Sequence, residues 1–433
     1  MSSRAFVLCL CAAIEACGSR SALVDVGPTE VDSGSGGLGG GSGTTAVGGS
    51  GGAAGAAGAG PECKDLVALA PPALLNGQNA LFDAPPVLAV APGVSDEVVL
   101  ATRAMSSGPS NGIRHTSFRP WGTWPPPDLG ASLQMTLAGT EISDDYFVAP
   151  STPGRFALLA SPSTGPVLLT AVAPAQDYAG PQLPVLGASP SFLAEGIEGV
   201  QLLGMSSTKN ELYAQLGRSE SDPKATTIST IGCADSQIFG AATPLGSNWL
   251  IAYSNGEHAP VAVCGNPTGA GDPKRIDIVS ITTGHEVASL ATLPVAAPVT
   301  ELAAAAHQNG MYLVWREAGV ANPPARWARF DAVQLSFVAK GELGGLDDHP
   351  VGLSAAPFGE GLAVAYVTAK AGMQPQLVVQ LQDPFGKVVA RASRPSFHPA
   401  RVALVPSYEH RRLLVGQHDG NSAIALLRFD CVP

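Results

Sequence analysis

Six carboxylates and two imidazoles recur at matched places in this sequence, each close to the start of a short apolar run. They are Asp83, Asp144, Glu198, Asp235, Glu301 and Asp348, with His349 and His398. Gathered at one end of a closed fold, such a series makes a ring of negative charge that attracts a cation or a basic ligand. The same residue types are ordinary turn formers, and His349-Pro350 and His398-Pro399 share one position, which fits structural duplication as well as ligand contact. A second constellation runs from Arg114-His115 through Phe118-Arg119-Pro120-Trp121 to Trp124-Pro125-Pro126-Pro127. Trp121 and Trp124, flanked by arginines, can stack on a sugar ring or a peptide; such a loop can equally fold its aromatics back over an exposed edge. No phosphate loop, dinucleotide fingerprint, HExxH, GxSxG or calcium-loop pattern occurs, so no catalytic residue and no cofactor is assigned.

The elements that must position these residues repeat. A short apolar run, a Pro or Gly turn and a second apolar run recur seven times from residue 87 onward. Clear instances are Val87–Ala91 before Glu97–Ala101, Ile238–Ala241 before Trp249–Tyr253, Leu302–Ala306 before Met311–Trp315, and Val351–Ala355 before Leu362–Tyr366. The third, Gln201–Gly204 before Glu211–Ala214, is the weakest. The mean spacing is about 52 residues. Each pair reads as a hairpin, and several repeats add a second one, as at Leu377–Leu381, Asp383-Pro384-Phe385-Gly386 and Lys387–Ala390. Four strands per repeat of this length is the unit of a β-propeller, so the expectation is an all-β ring of seven four-stranded blades, with six or eight left open by the weak third repeat. Ala303–Ala306 favours a helix on propensity alone, but its alignment with the other strand positions overrides that. The familiar propeller signatures are missing, and Thr283-Gly284 only faintly resembles quinone-binding propeller repeats, without their tryptophans.

The last repeat has chain for only three strands, and Lys64–Ala70 is a strand-like run without a partner. Placing that run in the last blade closes the ring and brings Cys63 beside Cys431. Of four cysteines beyond the N-terminal region, this selects Cys63–Cys431 and leaves Cys233–Cys264. Zinc is not expected, because no CxxC pair exists.

The N-terminus reads as an address. Met1–Arg4 is a short basic start, Ala5–Ile14 is apolar, and Ile14-Glu15-Ala16-Cys17 follows. That layout resembles the lipobox of bacterial lipoproteins, with Glu15 departing from the family's small residue. The resemblance implies a signal peptide over 1–16, acyl chains on Cys17, anchoring in a membrane and, with Gly18 next, export to the outer membrane or cell surface. From Ser33 to Gly60 the chain is almost wholly Gly, Ser, Ala and Thr, a run with an r.m.s. span of roughly 30 Å, so 17–62 reads as a flexible tether. The propeller domain takes 63–433.

Composition narrows function. A formal charge of -11 with 14% charged residues in 433 lacks the basic surplus that nucleic acid requires. No apolar run reaches the roughly 20 residues that span a bilayer. These features point to a lipid-anchored binding or interaction module for a protein or glycan ligand. The alternative is an exported polysaccharide lyase or hydrolase with its site at the channel mouth.

Overall fold

The computed structural model describes residues 63–433 apart from 77–80, 85, 91–96, 106–111, 131–132, 139–145, 151–154, 162–166, 173–175, 183–188, 198–199, 207–210, 218–224, 231–238, 255–273, 319–323, 344–348, 369–371, 397–400, 408 and 420–421. The described residues form seven antiparallel sheets with up-and-down connectivity, a β-propeller. Their first strands are Val87–Val90 (preceded by the two-residue piece Leu81–Phe82), Phe147–Pro150, Ser189–Ile197, Phe239–Leu245, Val299–His307, Pro350–Phe358 and Ala403–Ser407. Each first strand touches the next, and Ala403–Ser407 touches Val87–Val90.

The reason for this arrangement lies in the second strands. Gly361–Thr368 is buried at every residue but the last, and Gly310–Glu317 at all but Arg316. A strand apolar on both faces cannot be satisfied by one covering layer, so its sheet must be sandwiched. Accordingly an apolar cluster fills each junction between consecutive sheets, including the junction of the last with the first. Each fully buried Leu, Val or Phe there contributes about 1.5–3 kcal/mol. The first strands carry small residues because they converge. Ala303–Ala306 pairs residue for residue with Met311–Val314 as strand, against its helical propensity. The fourth strands face outward, and Val388–Pro395 is mostly exposed.

Two details differ from the sequence expectation. The third sheet begins with Ser189–Ile197, so the pair Gln201–Gly204 and Glu211–Ala214 belongs to its second and third strands. Its true first strand mixes Ser, Pro, Gly and Glu with apolar residues and does not stand out as an apolar run. The closing strand is also longer than Lys64–Ala70: Asp65–Ala68 and Ala73–Asn76 both pair with Ala423–Val432, end to end along the same edge. The Cys63–Cys431 disulfide fastens this seam. Cys233 and Cys264 lie outside the described residues.

Antiparallel order gives the ring two distinct ends. Turns between first and second strands, and between third and fourth, lie at one end, termed here the hairpin end. Second-to-third connections and the links between sheets lie at the other, the crossover end.

Glycine is required where backbones crowd. A Cβ on Gly310 would lie 2.0 Å from the Phe330 carbonyl oxygen, and one on Gly361 2.0 Å from that of Gln382. Both residues open the second strand of their sheet. Gly361→Ala should therefore lower stability by about 1–3 kcal/mol, as overpacking does, read as a drop in the thermal midpoint by circular dichroism. An unchanged midpoint would contradict the close approach. Reduction should act on the seam: the disulfide closes a loop with a sequence separation of 368, worth at most about 5–6 kcal/mol in the chain-entropy account. The midpoint should fall in dithiothreitol, and an indifferent midpoint would remove the seam's role.

Candidate functional site

Four described carboxylates at the crossover end, Asp83, Glu301, Glu317 and Asp277, lie beside arginines. Asp83, just before Val87–Val90, accepts from Arg103 Nε at Oδ1 (2.9 Å) and from Arg103 Nη2 at Oδ2 (2.9 Å). Arg103 stands near the end of the second strand Val98–Met105, so the pair bridges first and second strands. The fifth sheet repeats the plan: Arg316 Nη2 lies 2.7 Å from Glu301 Oε1. The other oxygen, Glu301 Oε2, accepts from the Leu353 backbone N–H at 2.9 Å, in the first strand of the next sheet. Beside it Glu317 accepts from Trp315 Nε1 (3.0 Å) and the Ala297 N–H (3.2 Å), with Arg326 Nε 3.3 Å away. In the fourth sheet Asp277 is paired with Arg275 and accepts from Thr292 Oγ1 at 2.7 Å. Among the described residues, these carboxylates and arginines form oriented, mutually neutralising pairs.

His349 adopts a left-handed φ of 41° immediately before Pro350, the conformation of a turn residue. Asp144, Glu198, Asp235, Asp348 and His398 lie outside the described residues. Glu198 falls between Ser189–Ile197 and Val200–Ser206, a position between first and second strands rather than ahead of the first. Among the described residues no group of three or more His, Cys, Asp or Glu could hold a metal ion.

Trp121 and Trp124 lie at the opposite, hairpin end, between Gly112–Phe118 and Gln134–Ala138, and they are committed to packing. Trp121 is buried in the cluster joining the last and first sheets, and its ring stacks on His410 with centroids 6.3 Å apart. Trp124 Nε1 donates to the Pro71 carbonyl at 2.9 Å. Arg428, nearly buried, donates through Nη1 to the carbonyls of Pro120 (2.8 Å) and Gly122 (2.7 Å), and its guanidinium lies 5.5 Å from the Trp124 ring centroid. The loop is a clasp over the seam. Its aromatics fold back over the closing strands, so the stacking surface that residue types suggest is occupied by the protein itself.

Sequence reasoning missed the arginines. Arg103 and Arg316 each lie near the end of a largely apolar second strand, and a cation at that place signals a carboxylate partner at the start of the preceding strand. Tyr146 was missed too: its hydroxyl, from the second sheet, accepts from the Arg103 N–H at 3.1 Å and links two sheets.

No protein-family model matches this chain, and no curated protein does. Similar solved structures include a variant of the Aleuria aurantia lectin in complex with alpha-methyl-L-fucoside, at 8% identity and TM-score 0.44 over 73% of this chain and 98% of that one. AofleA from Arthrobotrys oligospora is similar at 11% identity and TM-score 0.46, covering 75% and 90%. The Dos1 propeller is similar at 10% identity and TM-score 0.44, covering 82% and 93%. Each is a distant likeness in chain path.

Two outcomes follow. Burial pushes the Tyr146 phenol up to about 12. Unfolded, it ionises near pH 10; folded, it keeps its proton to about 12, so stability is full below pH 10 and falls by a few kcal/mol from there to roughly pH 12. Tyr146→Phe should flatten that alkaline decline in urea titrations, and an identical slope in both proteins would contradict the burial. Arg428→Met removes the donors to Pro120 and Gly122. It should cost about 1.5–3 kcal/mol and make tryptophan fluorescence more quenchable by acrylamide, whereas unchanged quenching would show the loop to be held otherwise.

Proposed function

We propose that this protein is an exported, lipid-anchored propeller of seven blades, one per sheet, that binds a polar ligand, a glycan or a peptide, at its crossover end. The observation that carries this reading is the arginine pairing of Asp83 and Glu301. Hydrolysis of a glycosidic bond takes a carboxyl free to give up a proton and a second one free to attack or to activate water. The oxygens of Asp83 and Glu301 are engaged by guanidinium groups and, at Glu301, by the Leu353 amide. Fixed guanidinium and carboxylate planes are instead suited to hydrogen-bonding hydroxyl and amide groups.

Export is supported by the layout of residues 1–17 and by the Cys63–Cys431 disulfide, since such bonds persist in oxidising compartments. Anchoring through Cys17 is supported by the Gly-, Ser- and Ala-rich stretch that follows, the composition of a flexible spacer between an anchor and a domain. The seven-blade count is supported by the closed succession of first strands and of apolar junctions.

The mature protein, screened on glycan and peptide arrays, should show selective binding. Replacing Arg316 by Met with Glu301→Gln should weaken that binding by about tenfold or more, the scale of one lost charge-assisted contact. Polysaccharide cleavage by the protein, or full binding by the double variant, would refute the assignment.

A further inference from the structure

Exposed large apolar side chains among the described residues are more numerous at the hairpin end, although Met373 (64%) stands at the crossover end between Gly361–Thr368 and Gln376–Gln382. Among the described residues the two most exposed large apolar side chains are Val333 (78%) and Phe385 (77%). They occupy the same place in the same turn of adjacent sheets, between third and fourth strands. In each turn an aspartate opens the bend, and its Oδ1 accepts from the backbone N–H two residues on. Asp331 accepts from Val333, and Asp383 from Phe385, both at 2.9 Å. The carboxylate is thus turned onto the backbone, while the apolar side chain stands at the tip. Leu335 (52% exposed) follows Val333 in a left-handed conformation, φ 52°. The turn does not itself demand an apolar tip: the fourth sheet builds it with Thr282 Oγ1 as acceptor and Gly284 in the equivalent place. Arg329 lies 5.7 Å from the Phe385 ring centroid, and the exposed Lys387 follows in the same turn.

These tips are at the hairpin end, and so is the point where the chain enters the fold. Cys431 is near the close of the third strand Ala423–Val432, Cys63 is bonded to it, and the Lys64 N–H donates to the Val432 carbonyl at 2.9 Å. Chain preceding Cys63 therefore joins the ring at the end that carries Val333, Leu335 and Phe385. The crossover end, with its ion pairs, is the far side. A tether attached at this end leaves it free to reach whatever holds the tether.

We propose that the hairpin end is a lipid-docking surface, with Val333, Leu335 and Phe385 entering the interfacial zone of the bilayer that holds the Cys17 anchor. Arg329 and Lys387 lie beside them to meet headgroup phosphates. The inference rests on the lipid-anchored reading above. Shallow insertion of a few apolar side chains is weak alone, and it becomes effective when an acyl anchor already confines the domain to the surface. It would hold the crossover end outward, where a ligand can reach it.

Hydrogen exchange of the full acylated chain on phosphatidylethanolamine–phosphatidylglycerol vesicles tests this, compared with the Cys17→Ser chain free in solution. Amides of 331–336, 383 and 385–387 should exchange about tenfold more slowly on vesicles, with 372–374, 419, 422 and 423 at the crossover end unchanged. The acylated chain bearing Val333→Ser and Phe385→Ser should remain on the vesicles and lose that protection. Vesicle-bound protein with unprotected tips, or with protection at the crossover end, overturns the docking while leaving the anchor intact. Failure of the full chain to sediment with vesicles, with unmodified Cys17 by mass spectrometry, overturns the anchor and the docking with it.

Discussion

The structure depends on sheets that are apolar on both faces. Trp249, Leu313, Val364 and Leu414, all in second strands, are almost fully shielded from water, and no sheet can shield them alone. Each sheet needs a neighbour on either side, and a linear stack would leave its two terminal faces wet. The junction of the last sheet with the first removes that defect, filled by Val405, Leu414 and Leu426 from one side and Phe82, Val98 and Leu100 from the other. Everything at the seam serves this junction. Asp65–Ala68 and Ala73–Asn76 cover the edge of Ala423–Val432, the disulfide ties their start to its end, and the Trp121–Trp124 loop lies across the joint.

Closure also decides where polar chemistry can occur. With the junctions filled by Leu, Val and Ala, charged groups are displaced toward the strand ends, and there several act as stitches between sheets. Glu301 reaches the Leu353 amide, Tyr146 receives the Arg103 amide, and the Tyr312 hydroxyl donates to the Glu360 carbonyl at 2.8 Å. The two ends of the ring therefore differ in character. Both carry ion pairs, but the Asp83–Arg103 and Glu301–Arg316 pairs stand at one, and the Val333 and Phe385 turn tips and the attachment of the N-terminal chain at the other.

How much of this is legible in the sequence follows from the same physics. Doubly buried second strands read as unbroken apolar runs, so Trp249–Tyr253, Met311–Trp315 and Leu362–Tyr366 mark their sheets without ambiguity. First strands are small and mixed, which is why Ser189–Ile197 escaped notice and the third repeat slipped by one strand. The seam was legible because three strands cannot finish a four-stranded sheet. Pairings were not: Asp83 and Arg103 are 20 residues apart, Trp124 and Pro71 are 53 apart, and Arg428 and Gly122 are 306 apart. Residue type alone shows a carboxylate or an indole as available, whereas the fold shows it already engaged.

Head-to-tail closure is the central claim, and peptide mapping of the mature protein under non-reducing conditions tests it most directly. The peptide containing Cys63 should be recovered joined to the one containing Cys431, and reduction should release both. Recovery of Cys63 joined to Cys233 or Cys264 would contradict a ring closed at this seam.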